Sequence, residues 1–343
     1  MAGETVFVSG ANGFIALHII SRLLNKGYNV IGSVRSQEKA DDLYKKFQTD
    51  KSDPKFKIVI IEDLIKPGAF DDVLKNNKDI KYVLHTASPF KFGFTDDFDE
   101  GYRKPAVEGT INALKAIDKY GENVITTVVT SSFASVMNFD KLEDSSFIHN
   151  ENVWNPIEWD QVKDQGKAYV ASKKLAEKAA WDYVKEHNVK FNLNTVLPVY
   201  VFGPQLFDED ASLEKTNTSN QIIINLLKSD PNDTKFFKDT SGIGVDVRDV
   251  ADFHILAFER GIKNQRLFAA SETFTDQKLL NIINEYVPQL TGKIAKGSPS
   301  KAYTVNETGF STQKSRDLLG DFEFISLKDQ VVDTVNQALK QNK

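Results

Sequence analysis

Short apolar runs alternate with amphipathic stretches along roughly the first 200 residues of the chain. The apolar runs predict strands at Thr5–Ser9, Asn29–Ser33, Phe56–Ile61, Lys81–Thr86, Asn123–Thr130 and Phe191–Leu197. Between them, apolar positions three or four residues apart predict helices at Phe14–Lys26, Gln37–Phe47, Ala69–Asn76, Pro105–Tyr120 and Ala168–His187. Strands and helices that alternate in this way are typical of a parallel sheet covered on both faces. The pattern therefore predicts an α/β fold with a doubly wound parallel sheet.

The pattern is less regular beyond about residue 200. The helix-like stretches there are Ile222–Leu227, Asp249–Glu259, Asp276–Tyr286 and Leu327–Lys340. We therefore divide the chain into residues 1–200, which include the long helix at 168–187, and residues 201–343, a smaller C-terminal α/β lobe that packs on the first part and mainly binds the substrate. Some elements of this lobe are expected to return to the main sheet. The loop at 205–220 either covers a site or is simply solvated.

Composition and charge narrow the classes of function. The 343 residues are 41% hydrophobic and 27% charged, and the net charge of −5 offers no basic surface to nucleic acid or an anionic membrane. The absence of cysteine excludes disulfides, thiolate metal sites and a cysteine nucleophile, and it fits a reducing compartment. The five histidines have no metal-ligand spacing, so no metal is expected. With no secretory signal and no apolar stretch of ~18 residues, we predict a cytoplasmic location.

A glycine-rich loop follows the first strand. Gly10, Gly13 and Ala16 stand in the spacing G-x-x-G-x-x-A between a predicted strand and a predicted helix. Glycine permits a tight turn and a close approach of the backbone to a pyrophosphate, which the N–H groups at the helix start can bind. A simple tight turn is the alternative. We interpret the segment as the phosphate loop of a Rossmann-type, dinucleotide-binding domain, with cofactor contacts from Gly10, Asn12, Gly13, Phe14 and Ile15.

The end of the second strand indicates which dinucleotide binds. An NAD-specific site places a carboxylate about 20 residues beyond the loop, where it holds the ribose 2′-hydroxyl. Counting from Gly13, that position is Ser33, which is not an acid. Arg35 follows, with Lys39 one helical turn later, and a guanidinium suits a 2′-phosphate. Ordinary surface cations are the alternative. We predict NADPH/NADP+ as the cofactor, with Arg35 and Lys39 among its contacts.

The next strand ends supply further candidate cofactor contacts, because ligands of α/β sheets bind at the carboxyl ends of the strands. Asp63 follows the third strand and could accept a hydrogen bond from the adenine amino group, although a cap for the next helix explains it equally well. Small residues after the fourth strand would let the cofactor cross the sheet edge. The other candidates at these ends are Leu64, Thr86, Ala87, Ser88 and Thr130.

Tyr169 and Lys173 stand four residues apart, so their side chains share one face of the predicted helix. An ammonium stabilises a phenolate, and lowering a tyrosine pKa from ~10 to about 7 takes roughly 4 kcal/mol. Ser131 and Ser132 end the fifth strand, where a hydroxyl could bond a substrate carbonyl. Taken singly, the Tyr–Lys pair also suits a solvated helix, and the serines also suit a cap or a turn.

As an ordered set, these motifs resemble the extended short-chain dehydrogenase/reductases over essentially the whole chain. The matching features are the glycine loop, Asp63, His85–Ser88, Ser132, the Tyr169–Lys173 pair, Pro198–Pro204 and Asp246–Ala251. Pro105–Thr110 is similar to the dihydroflavonol reductase-like branch, and sugar-nucleotide epimerases of the family often carry asparagine in place of Ala106. Within the family, the segments are most similar to fungal NADPH-dependent methylglyoxal/isovaleraldehyde (carbonyl) reductases.

The resemblance implies reduction of an aldehyde or ketone to an alcohol by hydride transfer from NADPH. Tyr169 would be the general acid, and Ser132 would hydrogen-bond the carbonyl oxygen. Lys173 would lower the tyrosine pKa and hold the nicotinamide ribose, so Tyr169 and Lys173 also count as cofactor contacts. Pro198 and Val201 would face the nicotinamide. The choice of the second serine over the first rests on its position in the family.

Aromatic residues near the motifs suggest an uncharged, hydrophobic substrate, with Phe94, Phe133 and Tyr200 as candidate contacts. Because the chain has 24 phenylalanines, core packing is the alternative. A sugar-nucleotide epimerase or dehydratase would need the acid that Ser33 lacks. A non-catalytic NADP-sensing protein would usually lack the Tyr–Lys pair. The family also suggests a homodimer through the helices at 105–120 and 168–187, which packing within one chain could equally cover.

Overall fold

The computed structural model of the protein describes residues 3–88, 97–214, 216–303 and 307–341. Seven strands form the main sheet: β1 (Thr5–Ser9), β2 (Asn29–Val34), β3 (Phe56–Ile60), β4 (Ile80–His85), β5 (Thr126–Thr130), β6 (Asn192–Pro198) and β9 (Arg266–Ala269). Their order is β3-β2-β1-β4-β5-β6-β9, and every neighbouring pair is parallel. The predicted doubly wound, Rossmann-type α/β fold is confirmed.

Helices cover both faces of this sheet. On one face pack α1 (Phe14–Asn25), α2 (Gln37–Lys46) and α7 (Val247–Glu259). On the other face pack α3 (Asp71–Asn76), α4 (Lys104–Tyr120) and α5 (Gln165–His187). All of β1 is buried, which explains why its sequence is apolar without alternation. Among the described residues, no helix combines the length and the apolar character that a membrane span requires.

Helix α5, which carries Tyr169 and Lys173, begins three residues before its predicted start at Ala168. The reason is a side-chain cap. Asp164 accepts a hydrogen bond from the Lys167 N–H at 2.8 Å, which satisfies one of the free donors of the first turn. The polar first turn does not continue the apolar periodicity on which the prediction depended.

The structure contains a second sheet that the apolar pattern did not predict. Its strands β7 (Tyr200–Phe202), β8 (Ser241–Asp246) and β10 (Glu272–Thr275) lie in the order β10-β8-β7. A Cβ built on Gly242 would lie 2.8 Å from the Tyr200 ring, and one on Gly244 would lie 3.0 Å from the Phe202 ring. The glycines of β8 therefore make room for the rings of β7, although glycine in a single sequence suggests a turn.

Further helices lie in the second half of the chain: α6 (Thr218–Leu226), α8 (Asp276–Tyr286), α9 (Gln313–Leu318) and α10 (Leu327–Lys340). Three of these, α6, α8 and α10, share an apolar cluster with the second sheet. Two elements from this half of the chain, α7 and β9, belong to the main sheet and its cover instead. The division of the chain at residue 200 stays a prediction.

The segment after β7 packs on α2 and α10. Asp210 forms an ion pair with Lys46 at 2.7 Å, and the Phe207 ring lies edge-on to Phe47 at 5.2 Å between centroids. Gln337 of α10 donates from Nε2 to the Asp208 carboxylate at 2.8 Å. These contacts argue against the alternative that the loop at 205–220 is simply solvated.

Candidate active site

The glycine loop connects β1 to α1 at the carboxyl edge of the main sheet. Gly10 has a left-handed φ of +69°, and a Cβ there would lie 2.9 Å from the Cα of Ala87 at the end of β4. The Gly13 N–H donates to the Gly10 carbonyl at 2.9 Å and tightens the turn. Helix α1 has no side-chain cap and no acid in its first turn, so its first N–H groups suit an anion. The remaining predicted contacts of the loop are wholly or partly exposed: Asn12, Gly13, Phe14 and Ile15.

Ser33 lies inside β2 and is buried, which corrects the prediction that this residue ends the strand at the position that selects the cofactor. Its Oγ accepts a hydrogen bond from the Gly10 N–H at 3.4 Å, and its carbonyl accepts one from the Ala11 N–H at 2.8 Å. Ser33 therefore fixes the glycine loop to β2. The count of about 20 residues ends inside the strand, and Arg35 is the first exposed residue after β2.

Arg35 and Lys39 are both exposed at the start of α2. Between them Ser36 caps the helix, with its Oγ accepting from the Lys39 N–H at 3.4 Å. In the part of the chain that the structure describes, neither cation forms an ion pair with a protein carboxylate. Both charges are therefore available to an anion at the end of β2.

Asp63 is exposed after β3 and caps the turn that follows, where its Oδ1 accepts from the Ile65 N–H at 3.0 Å. Asn112 on α4 holds the same turn, because its Nδ2 donates to the carbonyls of Leu64 at 3.0 Å and Ile65 at 2.9 Å. The sequence patterns did not single out Asn112. The contact of Asp63 with an adenine stays a prediction.

A buried network joins the end of β4 to the glycine loop. Ser9 Oγ lies 2.9 Å from His85 Nδ1 and accepts from the Ala87 N–H at 3.1 Å, and Thr86 Oγ1 donates to the Ser9 carbonyl at 2.5 Å. Burial, with a smaller effect of the Lys173 charge, lowers the pKa of His85 to about 4. The imidazole is therefore neutral near pH 7, and this histidine has a structural role.

Tyr169 and Ser132 form a side-chain hydrogen bond between α5 and the end of β5. Ser132 Oγ also accepts from the Ala134 N–H at 3.2 Å, in a short 3-10 turn. Ser131, in contrast, is buried and donates to the Glu177 carboxylate at 2.6 Å. The geometry therefore favours Ser132 over Ser131 as the partner of Tyr169.

Lys173 lies one turn after Tyr169 on α5, and its Nζ donates to Ser88 Oγ at 2.9 Å. Burial lowers the pKa of Lys173 to about 8. Burial also raises the pKa of Tyr169, against the opposing effect of the hydrogen bond with Ser132. The Tyr169 pKa is therefore raised overall, and the prediction of a lowered pKa is wrong for this structure, because desolvation of the phenolate outweighs the hydrogen bond with Ser132.

The predicted nicotinamide contacts flank the crossover between the two sheets. Pro198 ends β6, Val201 lies in β7, and both are buried. At the end of β5, Thr130 Oγ1 lies 2.7 Å from Nε2 of His254, which is another residue that the motifs did not reveal. A ligand here would lie at the carboxyl ends of the strands of the main sheet, which is the common location for ligand sites in α/β folds.

The candidate substrate aromatics differ in their surroundings. Tyr200 is 40% exposed, and its charge contributes to the raised pKa of Tyr169. Phe133 stacks on Phe268 with 5.9 Å between centroids, so one face of its ring belongs to the core. Phe94 lies outside the described residues. Tyr200 is thus the candidate that the geometry supports best.

Glu177 is a buried charge beside the site that the sequence patterns also did not single out. It is 1% exposed and forms an ion pair with Arg266 at 2.7 Å. Its spacing of four residues from Lys173 could have placed it on the same helix face. Its partner lies 89 residues away in the sequence, so only the fold brings the two together. No group of side chains with metal-ligand geometry occurs within the described ranges.

A glycine loop before α1, with serine, tyrosine and lysine gathered at β5 and α5, defines a dinucleotide-binding protein of the short-chain dehydrogenase/reductase class. The chain belongs to the NAD dependent epimerase/dehydratase family, whose model matches residues 6–269. The family predicted from the motifs is therefore confirmed.

Individual relatives are similar over the full length of the chain. It is 45% identical to the NADPH-dependent methylglyoxal reductase GRE2 of Saccharomyces cerevisiae, over 98% of this chain and 98% of that protein. It is 32% identical to the cinnamoyl-CoA reductase CAD2 of Medicago truncatula, over 99% and 97%. A crystal structure of Gre2 from Candida albicans in complex with NADPH has a TM-score of 0.93 and 43% identity, and covers 99% of this chain and 100% of that chain. The predicted resemblance to fungal methylglyoxal reductases is confirmed.

Proposed function

We propose that this protein reduces aldehydes and ketones to alcohols with NADPH. The observation that carries the proposal is the hydrogen bond between Ser132 and Tyr169, with Lys173 one turn along the same helix. Two hydroxyls thereby converge on one point, where a carbonyl oxygen can accept a hydrogen bond from each. The NADPH-dependent reductases among the relatives support the same type of reaction.

The residues at the ends of β1, β2 and β4 suit NADPH. The glycine loop offers uncapped N–H groups to the pyrophosphate, and the absence of a side chain at Gly10 keeps the loop against β4. Arg35 and Lys39 would hold the 2′-phosphate, because they are exposed and have no protein carboxylate as a partner in the described part of the chain. When bound, NADPH supplies the hydride that the carbonyl carbon receives.

The side chains of the site supply the proton and the electrostatic stabilisation. Ser132 hydrogen-bonds the carbonyl oxygen and polarises the carbonyl group. Tyr169 donates its phenolic proton to that oxygen as negative charge develops on it. Lys173, anchored on Ser88, contributes the positive charge that stabilises the resulting phenolate.

Two other functions are less well supported. A sugar-nucleotide epimerase or dehydratase that retains NAD would need an acid at the exposed end of β2, where this chain has Arg35. A non-catalytic NADP-sensing protein would have no use for the Ser–Tyr hydrogen bond or for a partly buried lysine one turn away.

An absorbance assay of nicotinamide oxidation tests the proposal. The protein is mixed with NADPH or NADH and with methylglyoxal, branched aldehydes, α-keto esters or aryl ketones. We expect oxidation that depends on the carbonyl compound and is faster with NADPH. Turnover no greater than without a carbonyl compound, across the whole panel, would contradict a reductase. Interconversion of a sugar nucleotide without net NADPH consumption would favour the epimerase.

The substrate, the assembly and the location are further parts of the proposal. Tyr200 and Phe133, with Phe94, would contact an uncharged, hydrophobic carbonyl compound. We infer a homodimer through α4 and α5, although these helices also pack on each other, with the Tyr183 hydroxyl donating to Asp118 at 3.1 Å. Light scattering during size-exclusion chromatography measures the assembly. A cytoplasmic location and no nucleic-acid partner are consistent with the missing cysteines and the net charge of −5.

A further inference from the structure

Glu177 receives hydrogen bonds at its buried carboxylate from two strands of the main sheet, from the end of a third and from its own helix. Ser131, next to β5, donates at 2.6 Å, Thr195 of β6 at 2.8 Å and Arg266 of β9 at 2.7 Å. Trp181 of α5 donates from Nε1 at 3.2 Å. Burial alone would raise the pKa of Glu177, but Arg266 and the hydroxyl donors outweigh it and lower the pKa. The carboxylate therefore stays ionised and has one well-defined orientation.

The partner of this carboxylate is fixed just as firmly. Arg266 is 10% exposed at its side chain, and its Nη1 donates to the carbonyls of Glu151 at 2.8 Å and Val153 at 2.7 Å. Its guanidinium lies 3.8 Å from the centre of the Trp154 ring. A buried ion pair does not by itself argue for stability, because desolvation offsets the attraction. So many directed contacts instead suggest a role in positioning.

The position of Glu177 connects this network to the site. It follows Lys173 by four residues and Tyr169 by eight on α5, so the three side chains lie along one side of the helix. Lys173 and Glu177 line the same small internal cavity. Ser131 lines this cavity as well and precedes Ser132, whose hydroxyl bonds Tyr169. The carboxylate thus links both segments that carry the proposed catalytic hydroxyls.

We propose that Glu177, held by Arg266, is a positioning residue that keeps Ser132 opposite Tyr169 through its hydrogen bond to Ser131. The inference rests on the proposed function, in which these two hydroxyls hold the carbonyl oxygen. A displacement of Ser131 is passed to the neighbouring Ser132 through the backbone. An error of about 1 Å in such a contact can cost about 10²-fold in rate.

Two substitutions each remove one hydrogen bond from this carboxylate. Ser131→Ala cuts its connection to the end of β5. Thr195→Val cuts its connection to β6, which carries neither proposed catalytic hydroxyl, and is the matched control. We expect Ser131→Ala to lower kcat by about 10- to 100-fold, while the Kd for NADPH, measured by fluorescence titration, changes by less than about threefold. Thr195→Val should lower Tm by a similar amount and leave kcat nearly unchanged.

Two further variants separate positioning from general damage. Ser135→Ala removes the other side-chain contact of Ser131, at 2.9 Å, and should leave kcat nearly unchanged. Glu177→Gln keeps the size of the side chain but removes its charge. It should reduce kcat as Ser131→Ala does and lower Tm further, because Arg266 loses its buried partner. Rates are expressed per NADPH-binding site, so misfolded protein does not count.

The inference is wrong if Ser131→Ala keeps the wild-type kcat, or if Thr195→Val loses as much as Ser131→Ala. If the wild-type protein reduces no carbonyl compound, the proposed function fails on its own, and crystal structures of the two variants decide the inference. The Ser132 hydroxyl should then have left Tyr169 after Ser131→Ala and kept its contact after Thr195→Val. An unmoved Ser132 in both would overturn the inference.

Discussion

Gly10 allows a test of the phosphate loop. An alanine there would add both the strain of a left-handed backbone and a close contact with β4, and the same substitution at Gly261 separates the two effects. Gly10 has a φ of +69°, and a Cβ at this position would lie 2.9 Å from the Cα of Ala87. Gly261 has a similar φ of +65°, but a Cβ there would have no atom within 4 Å. Gly261→Ala therefore measures the strain of the left-handed backbone alone, and Gly10→Ala measures the strain together with the contact.

The expected magnitudes follow from these two environments. Gly261→Ala should reduce the free energy of unfolding by about 1–2 kcal/mol, which is the cost of a left-handed conformation with a Cβ. Gly10→Ala adds a collision with backbone at the end of β4, and overpacking of this kind typically costs about 1–3 kcal/mol more. The total for Gly10→Ala is about 2–5 kcal/mol. If the loop relieves the collision by moving away from β4, NADPH binding should weaken by at least about tenfold, or 1.4 kcal/mol.

Urea unfolding followed by circular dichroism gives the stabilities, and fluorescence titration gives the Kd for NADPH. Gly261→Ala should bind NADPH like the wild-type protein. A Gly10→Ala protein that is no less stable than Gly261→Ala and binds NADPH normally would refute the close approach of the loop to β4.

Three other substitutions or conditions test separate parts of the site. Arg35→Ala should raise the KM for NADPH about 10- to 100-fold more than the KM for NADH, because one charge-assisted hydrogen bond contributes about 1.5–3 kcal/mol. The control, Lys45→Ala at the other end of α2, should change neither KM. Equal losses with both cofactors would contradict a 2′-phosphate contact. Tyr169→Phe should lower kcat by about 10²–10⁴-fold at an unchanged Kd for NADPH, and a near-normal kcat in steady-state assays would remove the general acid from this residue. Burial lowers the pKa of His85 and of His254 to about 4, so on acidification these histidines take up protons in the unfolded chain before they do so in the folded protein. Each histidine should therefore reduce the free energy of unfolding by up to about 3 kcal/mol as the pH falls from 6.5 to 4. His254→Gln should make the measured loss in this pH range smaller, and an unchanged pH dependence would show that His254 is not buried in its neutral form.

Features that depend on neighbouring residues could be predicted from the sequence. The glycine loop, the helix start at Phe14 and the i, i+4 placement of Tyr169 and Lys173 each depend on a few consecutive residues, and the structure has all three. The parallel sheet could be predicted because burial on both faces leaves an apolar run, as in β1. Local chemistry therefore accounts for the order of the elements and for most of the candidate site.

Features that depend on distant residues could not be predicted in this way. Ser33 appears at the predicted distance from the loop, yet β2 continues past it and its hydroxyl is turned to Gly10. Strand β8 contains two glycines, and only the rings of β7 explain why it is a strand. Arg266 reaches Glu177 across 89 residues of sequence. In each case the deciding partner is a side chain or a strand that no local pattern specifies.

The electrostatics of the site favour reduction over the reverse reaction near neutral pH. Reduction needs a protonated phenol, and burial raises the pKa of Tyr169, so the proton is present on it at pH 7. Alcohol oxidation needs the phenolate, which the same burial disfavours. Lys173, whose pKa burial lowers to about 8, is still mostly cationic at pH 7 and can stabilise the phenolate that forms only after the proton has left. The phenol of Tyr169 thus stays protonated near neutral pH, and alcohol oxidation should become significant only at alkaline pH.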